Sequence, residues 1–307
     1  MTIQKTELPN VFLLSFNPSN WSFLHRLHAF LGPPLSSDAN VRIGLRDCEG
    51  HLAKVAICWR IARRLRPNLF LDREELEKYG GSDDLHSKEF AVVCESVIAG
   101  LYSAIDGLRT FLFGAYRKVS RVQKGSNRQL FERAANNQYG IGFPEPIRLK
   151  LAEAWEDWFP PLRKLRTQLT HGSAGTCHLD KAGRIVYLNE GMGERAEHTF
   201  LQDVETYLKQ TERSVRELIE DVCAFHYSKL QAIPRFTICG WYHARWYARM
   251  VSPNAELSWD HGHCLSYEWF EREHEHFCPM ANQCEAYKRK WPGGLAGAMA
   301  PDTRRAM

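Results

Sequence analysis

Residues 162–172 read LRKLRTQLTHG, and both the fold class and the functional reading of the chain turn on them. Pro161, just before, suits the first turn of a helix: its ring already holds φ at a helical value and its missing N–H would have had no partner there. Gly172 suits the position just past a helix end, where a left-handed φ is usual. Leu162, Leu165 and Leu169 recur at i, i+3 and i+7 as one narrow apolar stripe. The pattern predicts a helix from about Pro161 to His171. At about 100° per residue, Arg166 falls on the flank of that stripe while His171 points nearly away from it. The two side chains do not converge on one face of an ideal helix. They meet only if the last turn unwinds or if a second copy of the helix packs across a two-fold axis. The competing reading is plain: Arg163, Lys164, Arg166 and His171 are cations toward a helix C-terminus and complement its dipole.

The surrounding chain is long enough, at 307 residues, for two ordinary domains or one with a substantial appendage. A hydrophobic content of 44% and an aromatic content of 12% suit a folded protein. No apolar run reaches the ~18 residues of a membrane helix, and the start MTIQKTELPN lacks a basic region followed by an apolar core. The expectation is a cytoplasmic protein with no membrane partner. Its nine cysteines fit a reducing compartment, where unpaired thiols are normal.

The formal charge of +4 is too small to decide a partner, so its distribution matters more. Between Asp106 and Glu132 there is no acidic residue, yet Arg109, Arg117, Lys118, Arg121, Lys124 and Arg128 all lie there. That run is a candidate track for a polyanion, phosphate being the commonest. A solvated helix end and loop would look the same.

Outward from the opening stretch, the periodicity is helical. Residues 1–84 read as an α-rich region, with a helix over about Glu49 to Arg66 that ends in cations and stops at Pro67. From about Leu85 to Val119, Phe90, Val93, Val97, Leu101, Ala104, Leu108 and Leu112 trace a 3.6-residue rhythm. Beside it Glu95, Ala99, Tyr102 and Asp106 form a polar row that faces solvent or lines a site between helices. A helical turn falls near Gln129 to Ala135 and a tryptophan-rich helix runs from Pro146 to about Phe159. Thr176 to Leu188 reads as a small hairpin turning at Asp180 to Gly183, and a long helix follows from about Thr199 to Leu230. The sum is a mainly α fold, an antiparallel helical bundle over 85–230 with a small β-hairpin.

With these elements in place, the long first helix, the second carrying Arg166-x4-His171 and Gly172, and the long closing helix resemble the HEPN (higher eukaryote and prokaryote nucleotide-binding) superfamily. The resemblance covers about residues 85 to 230. It implies a metal-independent endoribonuclease of toxin, stress or phage-defence type, cleaving RNA by 2′-hydroxyl attack at a composite site in a homodimer, with no cofactor at that site. It also implies an acidic residue on an earlier helix, for which Glu95 is preferred over Asp106, and a regulatory partner such as an antitoxin. Arg166 suits the phosphorane charge, since its fork holds two phosphate oxygens and stays charged. His171 suits proton transfer. Arg109, Arg117, Lys118, Arg121 and the Thr170 hydroxyl are candidates for substrate binding. The position after the arginine is Thr167, where catalytic relatives often carry Asn, Asp or His, and many relatives have lost cleavage and act as nucleotide- or protein-binding partners; that alternative stays open.

Residues 231–291 change character, crowding aromatics and histidines in GWYHARWYARM and SWDHGHCLSYEWFEREHEHFCPMANQC, before a small polar tail at 292–307. Cys239, Cys264, Cys278 and Cys284 lie there with His261, His263, His274 and His276. Such side chains suit zinc or an iron–sulfur cluster. No C-x2-C occurs, and buried thiols with surface histidines would give the same letters. A third functional class, a metal-stabilised nucleic-acid-binding or sensing module, rests on this segment.

Overall fold

The computed structural model describes residues 13–14, 16, 21–32, 35–123, 125–171, 174–189, 199–231, 233–242, 245–253, 258–272 and 278–291. In chain order its elements are β1 (Leu13–Leu14), α1 (Phe23–Phe30), α2 (Ala39–Leu65), α3 (Leu69–Tyr79), α4 (Leu85–Tyr116), α5 (Asn127–Ala135), α6 (Glu145–Glu156) and α7 (Phe159–His171). There follow β2 (Thr176–Leu179), β3 (Ile185–Asn189), β4 (Thr199–Leu201), α8 (Val204–Tyr227), β5 (Arg235–Tyr242), β6 (Arg245–Val251), β7 (His263–Cys264), α9 (Tyr267–Arg272) and α10 (Glu285–Lys288). The protein is mainly helical with two small antiparallel sheets. It divides into two units, one of Pro33–Phe225 and one joining Met1–Gly32 to His226–Met307.

The larger unit is built on the pairing of α2 with α4. Val41, Leu45, Cys48, Leu52 and Val55 put one buried stripe on α2, and Val97, Leu101, Ala104, Leu108 and Phe111 put another on α4. The helices run antiparallel and touch backbone to backbone. A Cβ on Gly44 would lie 2.4 Å from the Phe111 amide nitrogen, and on Gly107 2.8 Å from that of Cys48. Gly114 meets Val41 at 2.8 Å and Gly100 meets the Val55 side chain at 2.8 Å. Gly100, Gly107 and Gly114 thus repeat at heptad spacing along one face of α4, and the Cys48 thiol donates to the Ala104 carbonyl at 3.3 Å across the gap. No boundary falls at 84/85: α2 belongs with α4.

By length and composition alone α4 would be able to cross a membrane, yet half of its most apolar stretch is buried within this chain. Of the other helices, α5 and α6 begin within two residues of their expected places, whereas α2 begins at Ala39 and not near Glu49, and α8 begins at Val204 because Thr199–Leu201 pairs with β3 as a strand. In the capping box of α5 the Ser126 hydroxyl accepts from the Gln129 N–H and the Gln129 side chain from the Ser126 N–H. The expected hairpin is present as β2 and β3, in register from Thr176↔Leu188 to Leu179↔Ile185, and β4 adds a third strand beside β3. Its turn is held by Asp180, whose Oδ1 accepts from the Ala182 and Arg184 N–H groups at 2.9 Å, and by Gly183 at φ +74°.

The smaller unit is a four-stranded antiparallel sheet in the order β1-β5-β6-β7, with Phe16, Phe30 and Val251 buried together and Trp21, Tyr227 and Leu230 packed against them. The sheet accounts for much of the aromatic density of residues 235–251, which alternate across β5 and β6. His226, 5% exposed, belongs to this unit. Burial, and behind it Lys229, lowers its pKa from 6.5 to about 4.

Two stability predictions follow from this packing. Gly107→Ala forces α2 and α4 apart and should cost about 1–3 kcal/mol in urea unfolding, whereas Gly81→Ala, with nothing within 4 Å, should leave the midpoint unchanged. His226 is favoured neutral in the folded state, so the unfolded chain binds more protons between pH 6.5 and about 4. Its contribution is therefore complete above pH 6.5 and is lost as the pH falls through that window; urea midpoints from pH 7 to 5 should drop less in His226→Gln than in the wild type.

Candidate functional site

Helix α7 starts two residues earlier than the leucine stripe indicates, at Phe159, and that residue explains its placement. Phe159 is fully buried, stacked on Phe131 at 4.0 Å and on Tyr102 at 6.2 Å, with Trp155 at 6.2 Å and the Trp158 edge at 6.4 Å. Two turns on, the exposed Arg166 lies with its guanidinium carbon 5.2 Å from the Tyr102 ring centroid. The polar row of α4 therefore faces a neighbouring helix at Tyr102. Among the described residues Arg166 has no carboxylate partner.

Around this arginine stands a mixed polar cluster. Burial, and behind it Asp106, pushes the Tyr102 phenol above its ordinary range, while Arg166, the Asn127 side chain and Arg163 pull it down. Asn127 is 2% exposed, and neither its Oδ1 nor its Nδ2 makes a hydrogen bond. Its amide lies close to the Tyr102 hydroxyl and favours the phenolate. The signal for Asn127 was the capping box, which sets it at the first position of α5, though not its burial.

Glu95 is occupied elsewhere. Its Oε1 accepts the Gly175 N–H at 2.7 Å and the Tyr187 hydroxyl at 2.9 Å, and the Asn189 amide donates to that same hydroxyl at 3.2 Å. The carboxylate ties α4 to the β2–β3 hairpin and to the chain shortly after the Arg-x4-His motif. Glu95 also raises the Tyr187 phenol, whose largest shift comes from burial. No hydrogen bond joins Glu95 to Arg166 among the described residues. His171 ends α7, but its side chain and Gly172 lie outside the described residues, as does Ser173.

The basic run is less free than its composition indicates. Arg109 donates to the Gly125 carbonyl and to Asp106 at 3.1 Å, Arg117 pairs with Asp38 at 3.0 Å, and Arg128 pairs with Glu132 at 3.2 Å. The Asp38 partner is remote in sequence and invisible to a charge count. Lys118 and Arg121 are exposed, Arg121 with a left-handed φ of +67°, and Lys124 lies outside the described residues. The Thr170 hydroxyl donates to the Arg166 carbonyl at 2.9 Å, an i−4 bond that leaves its lone pairs available.

A cleft of about 650 Å³ elsewhere in the unit is lined by Lys150, Glu153, Glu156, Asp157, Glu217 and Asp221. Its carboxylates outnumber its cations, so it is a poor seat for a polyanion. Of the four cysteines, Cys264 and Cys284 are buried and Cys239 and Cys278 half-buried, and among the described residues no three His, Cys, Asp or Glu side chains converge as a single ion requires. His274 and His276 lie outside the described residues. No protein-family model, curated protein or solved structure matches this chain.

The Glu95 bonds lead to a prediction. Glu95→Ala leaves the Gly175 N–H and Tyr187 hydroxyl without their acceptor and should cost about 1–3 kcal/mol in thermal or urea unfolding. Tyr187→Phe, which removes one donor and leaves the Gly175 bond, should cost less.

Proposed function

We propose that this protein is a metal-independent endoribonuclease of HEPN type, acting as a homodimer with Arg166 and His171 at a shared site. The observation that carries the reading is the exposed Arg166 guanidinium, without a carboxylate partner among the described residues and held over Tyr102. An unpaired guanidinium fork held against an aromatic ring suits an oxyanion.

In the proposed reaction the ribose 2′-oxygen attacks the adjacent phosphorus and the bond to the 5′-oxygen breaks. A 2′,3′-cyclic phosphate and a 5′-hydroxyl result. Arg166 holds two non-bridging oxygens as their charge grows. His171 from the second copy serves the proton exchange between the 2′-hydroxyl and the leaving oxygen. Glu95 is a positioning residue that fixes the chain after the motif, and Lys118 and Arg121 supply screened, sequence-independent attraction.

The two bonds that Glu95 Oε1 accepts, from Gly175 and Tyr187, favour a second reading, in which the same cationic face holds a nucleotide or an antitoxin-like protein without cutting RNA. Purified protein incubated with RNA in EDTA separates the two. Cleavage leaving cyclic-phosphate ends is expected, reduced by about 10²–10⁴ in His171→Ala and by about 10²–10³ in Arg166→Ala. Undiminished cutting by His171→Ala sinks the enzymatic reading, and RNA retained uncut by the wild type favours the second.

A further inference from the structure

We propose that a hollow between α2, α4 and α8 in the larger unit binds a small ligand made of one flat aromatic ring system and one anionic group, a carboxylate or a phosphate. None of its lining residues belongs to the Arg166 cluster, and the site does not rest on the ribonuclease reading. The hollow measures about 270 Å³. From α2 come Trp59 and Arg63, with Arg66 just past the helix end, and Glu205, Lys209 and Glu212 lie at i, i+4 and i+7 on one face of α8. The floor is apolar: Phe90 of α4 is 1% exposed and Ala62 of α2 is 4% exposed.

The aromatic wall is fixed in advance. Trp59 is half-buried, and its indole N–H donates to Glu212 Oε2 at 2.5 Å. Glu212 is itself held, because its Oε1 accepts from the Arg216 guanidinium at 2.7 Å, and Arg216 also donates to the Leu52 carbonyl at 3.3 Å. That chain of bonds sets the plane of the indole and occupies its only polar group. What the ring offers a ligand is therefore apolar aromatic surface, which a second flat ring covers best.

The cations set the charge of the ligand. Lys209, whose ammonium lies 5.7 Å from the Trp59 ring centroid, is paired with Glu205 at 2.6 Å. Arg66 is held loosely, 3.6 Å from the same carboxylate and 3.4 Å from the Gly183 carbonyl, both longer than the roughly 2.9 Å of a well-made N–H···O bond. Arg63 is exposed, and among the described residues no carboxylate pairs with it. Glu212 serves Trp59 and Arg216, and Glu205 is shared by Lys209 and Arg66, so the rim carries more positive charge than its carboxylates cancel. Two guanidiniums three residues apart form a seat for a carboxylate or a phosphate. Their place at the end of α2 also complements the helix dipole, which accounts for the charge but not for the aromatic-walled hollow beside it. Volume completes the class. Ligand sites run from about 300 to 1,000 Å³, and a hollow at the small end suits one ring system with its anionic group, as in an aromatic carboxylate or a nucleoside monophosphate.

Isothermal titration of the full chain tests this with four probes: indole-3-acetate and AMP carry both features, indole the ring alone and inorganic phosphate the anion alone. Binding of indole-3-acetate or AMP is expected, at least about tenfold tighter than that of indole or phosphate, and whichever of the two binds distinguishes a carboxylate from a phosphate ligand. Arg63→Ala removes an exposed side chain and should weaken that binding about tenfold. Trp59→Leu should weaken it about three- to tenfold, whereas Arg42→Ala, exposed near the start of the same helix, should leave it unchanged. Phosphate binding as tightly as AMP, or indole as tightly as indole-3-acetate, overturns the two-part ligand. No heat from either indole-3-acetate or AMP, or binding undiminished in Arg63→Ala, overturns the site.

Discussion

The larger unit depends on the contact of α2 with α4. Where Gly44 and Gly107 meet the opposing backbone there is no room for a methyl group, so two helices approach more closely than ordinary side chains permit. That closeness buries Val41, Val55, Val97, Leu101 and Phe111 and fixes the rotation of α4 about its axis. The rotation in turn decides what the opposite face presents. Glu95 is turned to the hairpin, Tyr102 to α7, and Asp106 to Arg109. The candidate site is thus a consequence of a core contact on the far side of the same helix.

The chemistry of that face separates residues by their partners. Arg109, Arg117 and Arg128 each have a carboxylate within reach; that of Arg117 is the buried Asp38, while the more exposed Arg128–Glu132 pair is of a kind that is individually weak and salt-screened. Arg166 differs in kind: it lies over an aromatic ring, and among the described residues no carboxylate pairs with its fork. Phe159 supports that geometry from below by anchoring the start of α7 in an aromatic cluster. Arg166 takes its position from packing, and among the described residues no acid pairs with it.

Much of this was legible in the sequence because it is periodic. The stripe on α4, the leucines of α7 and the Asp180–Gly183 turn carry their own local signals. The heptad of Gly100, Gly107 and Gly114 was equally periodic, but glycine has no place in a hydrophobic pattern and its meaning appears only opposite Gly44 and Cys48. The pairing of Arg117 with Asp38, and the commitment of Glu95 to Gly175 and Tyr187, are long-range facts that spacing cannot carry. The four C-terminal cysteines lacked a recognisable spacing for a related reason. Cys239 lies on β5, Cys264 on β7, Cys278 in a turn and Cys284 just before α10, and the pairing of Cys264 with Arg249 is a cross-strand fact that their order in the chain does not carry.

The central claim is that Arg166 of one copy works with His171 of another, and mixing two inactive variants tests it most directly. Arg166→Ala and His171→Ala proteins, unfolded together and refolded at equal concentration, form heterodimers in which one site combines both intact side chains. Recovery of RNA cleavage to roughly a quarter of wild type is the expected result. A mixture as inactive as its components, in a protein shown by mass to be dimeric, would contradict the shared site.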